Sequence, residues 1–111
     1  MEDCIFCKIG AREVAAKEVY RDEAVVAIED LNPQAPTHLL VLPLAHHDTV
    51  VEAAENGPLT ARLMSVASTL GVRCSESGFR LVVNTGTDGG QTVGHVHVHV
   101  LAGRRMAWPP G

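Results

Sequence analysis

Between Gly94 and Gly103 the chain reads GHVHVHVLAG, three histidines alternating with three valines. Side chains alternate faces along a strand, so His95, His97 and His99 share one side and Val96, Val98 and Val100 the other. Neighbouring imidazoles on such a strand lie roughly 6.6 Å apart. The valines suit a core. A row of imidazoles is an unusual way to meet water, because Lys, Thr or Glu would do so without placing titrating groups side by side. Three readings compete: a solvated face, a catalytic metal held by His-x-His, and a histidine nucleophile with two helpers.

The preceding stretch, TGTDGGQTVG, favours the nucleophile. Its glycines let backbone N–H groups approach a ligand closely. Thr85, Thr87, Gln91 and Thr92 add side-chain donors. Such a loop suits phosphate oxygens. A second constellation stands at the other end of the chain, in CIFCK, where Cys4 and Cys7 form a Cys-x-x-Cys pair.

Holding these groups requires a sheet and a cover for it. Val19–Arg21 and Ala24–Glu29 read as strands joined by a tight turn at Asp22 and Glu23. Asn32, Pro33 and Pro36 punctuate a loop, after which Thr37–Leu42 forms a third strand that Pro43 ends. Pro58 suits the first turn of a helix. Leu59, Leu63, Val66, Ala67 and Leu70 follow at helical spacing. The helix is expected to pass Gly71 toward Cys74, itself a buried apolar filler. Phe79–Asn84 and His95–Leu101 supply the fourth and fifth strands. The reading is α+β: an antiparallel sheet of five strands with one main helix on its apolar face. Two free edges point to a dimer that extends the sheet.

The 111 residues favour one domain, residues 1–111. With 46% apolar residues and few aromatics, the core is mostly Val, Leu, Ile and Ala. A net charge of -4 without long runs of either sign argues against a nucleic-acid scaffold, though not against a single nucleotide as ligand. MEDCIFCKIG is not a signal peptide, and no stretch approaches the roughly 20 apolar residues of a membrane span. A cytoplasmic protein without a membrane partner is expected. Three cysteines fit a reducing compartment rather than a disulfide framework.

DLNPQAPTHLLVLP, RLVVNTGTDGGQTVGH and GQTVGHVHVHVLAGRRMAWPPG together resemble the histidine triad (HIT) superfamily, and the closing GRRMAWPPG resembles its Hint branch. The resemblance runs from Cys4 to Gly111. It implies a HIT-like fold with a short N-terminal helix, a homodimer, and hydrolysis of purine nucleoside 5′-phosphoramidates. The expected route passes through a covalent nucleotidyl-histidine and needs no catalytic cofactor. By this resemblance His97 is the nucleophile, His99 donates to a phosphate oxygen, and His95 stands at the edge of the triad. His38 supports it from a neighbouring strand. Thr92 stands where the family commonly has serine, beside the leaving amine. Asn84 and Gln91 contact phosphate, and the backbone of Gly90, Gln91, Thr92 and Val93 stabilises charge building on it. The nucleoside lies against Ile5, Phe6, Ile9, Ile28 and Leu31, and Asp30 pairs with the ribose hydroxyls. Trp108 reaches the partner subunit's site.

The cysteine pair departs from many Hint-branch members but resembles zinc-binding HIT proteins. The implied ligands are Cys4, Cys7, His95 and His46, with His47 as the alternative to His46. Two thiolates and two imidazoles make a closed, structural set. Gly94 stands where the family often has an aromatic, which widens the leaving-group side. The superfamily also includes dinucleoside polyphosphate hydrolases and nucleotide transferases. A different class, a non-catalytic nucleotide-binding scaffold, would be marked by loss of the middle histidine, and His97 is present.

Overall fold

VVAIE and THLLVLP are apolar at nearly every position, and such runs suit strands covered on both faces. They form the middle of the sheet in the computed structural model, which describes residues 3–111. Strand β1 spans Glu18–Arg21, β2 Val25–Glu29, β3 Thr37–Pro43, β4 Phe79–Val82 and β5 Val98–Ala102. All neighbours are antiparallel, in the order β1-β2-β3-β5-β4. The turn between β1 and β2 closes on Asp22, whose carboxylate accepts from the backbone N–H of Ala24 and Val25 at 2.8 Å.

Among the described residues three helices accompany the sheet: α1 Ile5–Gly10, α2 Val50–Ala53 and α3 Gly57–Cys74. The short α2 was not anticipated. Its signal was Thr49, whose hydroxyl accepts the Glu52 N–H as an N-cap. Asn56 caps α3 in the same way, with Pro58 in the first turn. Leu59, Leu63, Val66, Ala67 and Leu70 of α3 pack on Val25, Ala27, Leu39, Val41, Val98 and Val100. Gly71 is tolerated inside the helix because a Cβ there would meet the Phe79 ring at 2.5 Å. Gly71 is the last buried residue of α3, and Cys74 is exposed rather than a core filler. The apolar stripe stops one turn earlier than its spacing implies.

The other face of the sheet is covered too. Phe6 and Ile9 of α1 pack on Val26, Ile28, Leu40 and Leu42. The sheet thus carries helices on both sides: residue spacing pointed to α3, and the family resemblance to the short N-terminal helix. His38 and His99 lie on the α1 side, since their neighbours Leu39, Val98 and Val100 face α3.

The fifth strand begins at Val98, not His95. Residues 95–97 spend their polar groups elsewhere. The Val96 N–H donates to the His47 carbonyl at 2.7 Å, and the His95 N–H to Val93 at 2.9 Å. The His95 ring donates to the Pro43 carbonyl at 2.8 Å. Pro43 has no N–H to extend the ladder. Likewise β4 ends at Val82 rather than Asn84, because the Asn84 side chain donates to the Gly89 carbonyl and closes the loop that follows.

Candidate functional site

Leu40 on β3 stands opposite His99 on β5, and His38 lies on the same face of β3 two residues earlier. His38 Nε2 and His99 Nδ1 are 2.9 Å apart. The Gln34 backbone N–H donates to His38 Nδ1 at 3.0 Å, so that nitrogen carries the lone pair. His38 therefore holds its hydrogen on Nε2 and donates to His99 Nδ1. His99 in turn keeps its hydrogen on Nε2. Asp30 Oδ2, 3.4 Å from His38 Nε2, is a second acceptor for the same hydrogen.

Burial holds these rings neutral. His99 is pushed down to about 4 by desolvation, then by the neighbouring His97 and His38, with Asp30 opposing. Desolvation also lowers His38, against the pull of Asp30. His95, fully buried, is lowered chiefly by desolvation, with its bond to Pro43 opposing.

His97 Nδ1 donates to the His95 carbonyl at 2.8 Å. The Phe6 ring stands edge-on to it, with centroids 5.0 Å apart. Its lone-pair nitrogen is then Nε2. Among the described residues no buried side-chain nitrogen or oxygen lacks a hydrogen-bond partner. Neither His97 Nε2 nor His99 Nε2 makes a hydrogen bond to the described residues, and both rings line one cavity. One offers a lone pair and the other an N–H. The rings are closer than free strand geometry implies, with centroids 4.9 Å apart. They are also half-buried or buried, which removes the reading of a solvated face.

That cavity encloses about 490 Å³. Ile5, Phe6 and Ile9 form one wall, and Ile28, Asp30 and Leu31 another. Thr92 and Val93 close the end near the imidazoles. Leu31 is a fully exposed lip rather than a buried contact. Thr92 and Val93 also border a smaller recess of about 350 Å³ with Cys4, Ile5 and Gly94. Nothing lies within 4 Å of where a Gly94 side chain would start, so that side is open.

Other expected contacts lie off the cavity. Asn84 bonds to Gly89, and the Gln91 amide donates to the carbonyls of Asp48 and Val93. Gln91 also accepts the Gly86 N–H, so here both residues shape the loop. Gly90, at a φ of 80°, makes the turn between them. Trp108 is 82% exposed on this single chain. Two cavity elements went unforeseen. The Val14–Lys17 segment closes the far end, and the Gln34 N–H sets the His38 tautomer. Both act through position or main chain, and side-chain type does not announce that.

Residues 11–106 match the model of the HIT domain family. The chain belongs to the HIT family. It is 43% identical to the 14 kDa zinc-binding protein of Zea mays, over 96% of this chain and 87% of that one. A HIT family hydrolase from Clostridium thermocellum superposes with a TM-score of 0.90 at 39% identity, covering 96% of each chain. A Zn-bound histidine triad family protein from Mycobacterium smegmatis gives a TM-score of 0.86 at 27% identity, covering 99% of this chain and 81% of that one.

In this HIT domain Cys4, Cys7, His46 and His95 bring one donor atom each to within 4.8 Å of the others. Cys4 Sγ is 3.4 Å and Cys7 Sγ 3.5 Å from His95 Nδ1, and Cys7 Sγ is 3.2 Å from His46 Nδ1. Tetrahedral zinc, with Zn–S near 2.3 Å and Zn–N near 2.0 Å, needs S and N about 3.5 Å apart. The outer bonds fit as well. His95 gives its Nε2–H to Pro43, and His46 Nε2 faces Asp48 Oδ1 at 2.6 Å. Each ring therefore turns a free Nδ1 lone pair inward. His47 points elsewhere, with Nδ1 3.1 Å from Glu52. The donor set fits zinc, and when bound the ion would supply structural cross-linking.

Asp30, His38 and His99 form a second cluster of donor atoms. It does not fit a cation in the same way, because both His38 nitrogens are already engaged with Gln34 and His99.

Proposed function

We propose that this HIT-family chain is a nucleotide hydrolase that cleaves purine nucleoside 5′-phosphoramidates through a nucleotidyl-His97 intermediate. The observation that carries the reading is the bond from His97 Nδ1–H to the His95 carbonyl, which leaves Nε2 as the ring's lone-pair nitrogen on the cavity. Hydrolase character comes from the likeness to the C. thermocellum protein.

The nucleoside occupies the apolar walls formed by Ile5, Phe6, Ile9 and Ile28, with the ribose hydroxyls on Asp30. His97 Nε2 attacks the α-phosphorus. A new P–N bond forms, and the P–N bond to the leaving amine breaks. The Thr92 hydroxyl passes a proton from solvent to the departing amine. Thr92 suits this role because it borders both the cavity and the open recess beside Gly94. His99 Nε2–H steadies the charge on a phosphoryl oxygen. Water then attacks the same phosphorus, the bond to His97 breaks, and water's surplus proton returns to solvent. Throughout, Nδ1–H stays on the His95 carbonyl.

The structural zinc set of Cys4, Cys7, His46 and His95 belongs to this reading, as does a cytoplasmic homodimer. Strands β1 and β4 are the sheet edges. Arg80 on β4 donates to the Ala107 carbonyl at 2.8 Å, tying the exposed Trp108 segment to that edge. In the dimer Trp108 would cross to the partner's site.

Turnover of an adenosine phosphoramidate bearing a fluorescent amine tests the reading. Hydrolysis that, at saturating substrate, resists chelator and vanishes in His97→Ala supports it. Hydrolysis that survives that change overturns it, and AMP binding with no turnover by the intact protein points instead to a nucleotide-binding scaffold.

A further inference from the structure

The metal donors and the nucleoside wall share one short helix. Cys4 precedes α1 and Cys7 lies within it, so Ile5 and Phe6, two residues of the wall, stand between the two thiols. Six residues are too few for a helix to hold itself together in water. What holds α1 is the packing of Phe6 and Ile9, the Arg21 guanidinium on the Gly10 carbonyl at 3.1 Å, and the Cys4/Cys7 cluster. Cys4 Sγ also accepts the Cys7 N–H as the helix N-cap. The cluster therefore sets both the start of the helix and its distance from the sheet.

A second link runs through His95. Its Nδ1 faces the thiols, its carbonyl holds His97, and the Phe6 ring contacts both imidazoles, with centroids 5.9 Å from His95 and 5.0 Å from His97.

We infer that zinc occupancy of the Cys4–Cys7–His46–His95 set and nucleotide occupancy of the cavity are thermodynamically linked through α1, each strengthening the other. Zinc fixes the wall against which the base lies. A base lying on that wall presses Ile5 and Phe6 into the position that presents both thiols. This linkage rests on the cavity being a nucleotide site. Linkage is reciprocal, so a single factor describes both directions.

The test uses the full chain, zinc and AMP. The zinc dissociation constant is measured by competition with a chromogenic chelator, without AMP and with saturating AMP. Calorimetry then measures AMP binding to zinc-loaded and stripped protein. Zinc should bind roughly 5- to 100-fold more tightly with AMP present, and AMP should gain the same factor from zinc. Equal zinc affinities in protein that does bind AMP would overturn the linkage and leave the proposed function standing. AMP binding to neither form would remove both. Amide exchange supplies a readout independent of nucleotide. On stripping zinc, protection should fall at the Lys8 and Ala11 amides, which donate to Cys4 and Cys7, while α3 stays protected. Loss of protection across the whole chain would make zinc a global determinant of folding and contradict a local device in α1.

Discussion

The Nδ1–H of His97 rests on the carbonyl oxygen of His95, two residues back, at 2.8 Å. That bond assigns the ring its tautomer. A matching assignment runs from the Gln34 N–H through His38 to His99. The two chains of hydrogen bonds leave opposite characters at neighbouring Nε2 atoms, an acceptor on His97 and a donor on His99. A phosphate placed between them, as the proposed function has it, would meet both.

In the proposed function His38 therefore serves as a positioning residue. His38→Ala should lower kcat on a phosphoramidate by about 10- to 100-fold, with a smaller change in KM. His38→Gln, which retains a side-chain donor for His99 Nδ1, should recover part of the loss. Equal rates for wild type and His38→Ala would contradict the relay.

Thr92→Ala should slow substrates with poorly departing, basic amines by roughly 100-fold and leave those with good leaving groups nearly unchanged. Rates measured across a series of leaving-group pKa values give the check. A uniform loss across the series would remove the hydroxyl from proton delivery.

Acid should weaken the fold through His99. The folded chain holds this ring neutral down to about pH 4, whereas the unfolded chain protonates it near 6.5. Its contribution is whole above the unfolded value and declines as pH falls from about 6.5 toward 4, by about 1 kcal/mol per pH unit near pH 5. The charged and titratable groups facing it are His97, His38 and Asp30. Urea unfolding at pH 7.5, 6 and 5 should show a shallower pH dependence in His99→Gln. Parallel curves would exclude His99 as the source.

Gly71→Ala should destabilise the protein by about 1 to 3 kcal/mol, although alanine normally favours a helix over glycine by about 1 kcal/mol. The new methyl would collide with Phe79. The double variant Gly71→Ala with Phe79→Leu should recover part of the loss in a thermal melt. A stabilised single variant would show that the ring yields.

Much of this was legible in the sequence. Alternating Val and His marked the fifth strand's two faces, and the Leu59–Leu70 spacing marked α3. The Cys-x-x-Cys pair, read through the family resemblance, pointed to the donor set that the fold assembles with His46. What stayed hidden depended on main-chain atoms. No residue type says that the Gln34 N–H will fix His38, or that the His95 and His97 side chains will use up the groups that would have continued β5. The cover over the histidine face came from the family resemblance, which implied a short N-terminal helix, because α1 is only six residues long, too short for periodicity to register. Cys74 continued the buried spacing on paper but lies past the last buried residue of α3.

The account stands on a covalent bond between His97 Nε2 and phosphorus. Wild-type protein turning over an adenosine phosphoramidate should be quenched with base within milliseconds, because the P–N bond to histidine is lost in acid, then digested at alkaline pH and read by mass spectrometry. The account predicts an adenylyl group on the peptide carrying His97, localised to that residue and absent from His97→Ala. Product accumulating with no adduct at any quench time, or with the adduct on another residue, would contradict it.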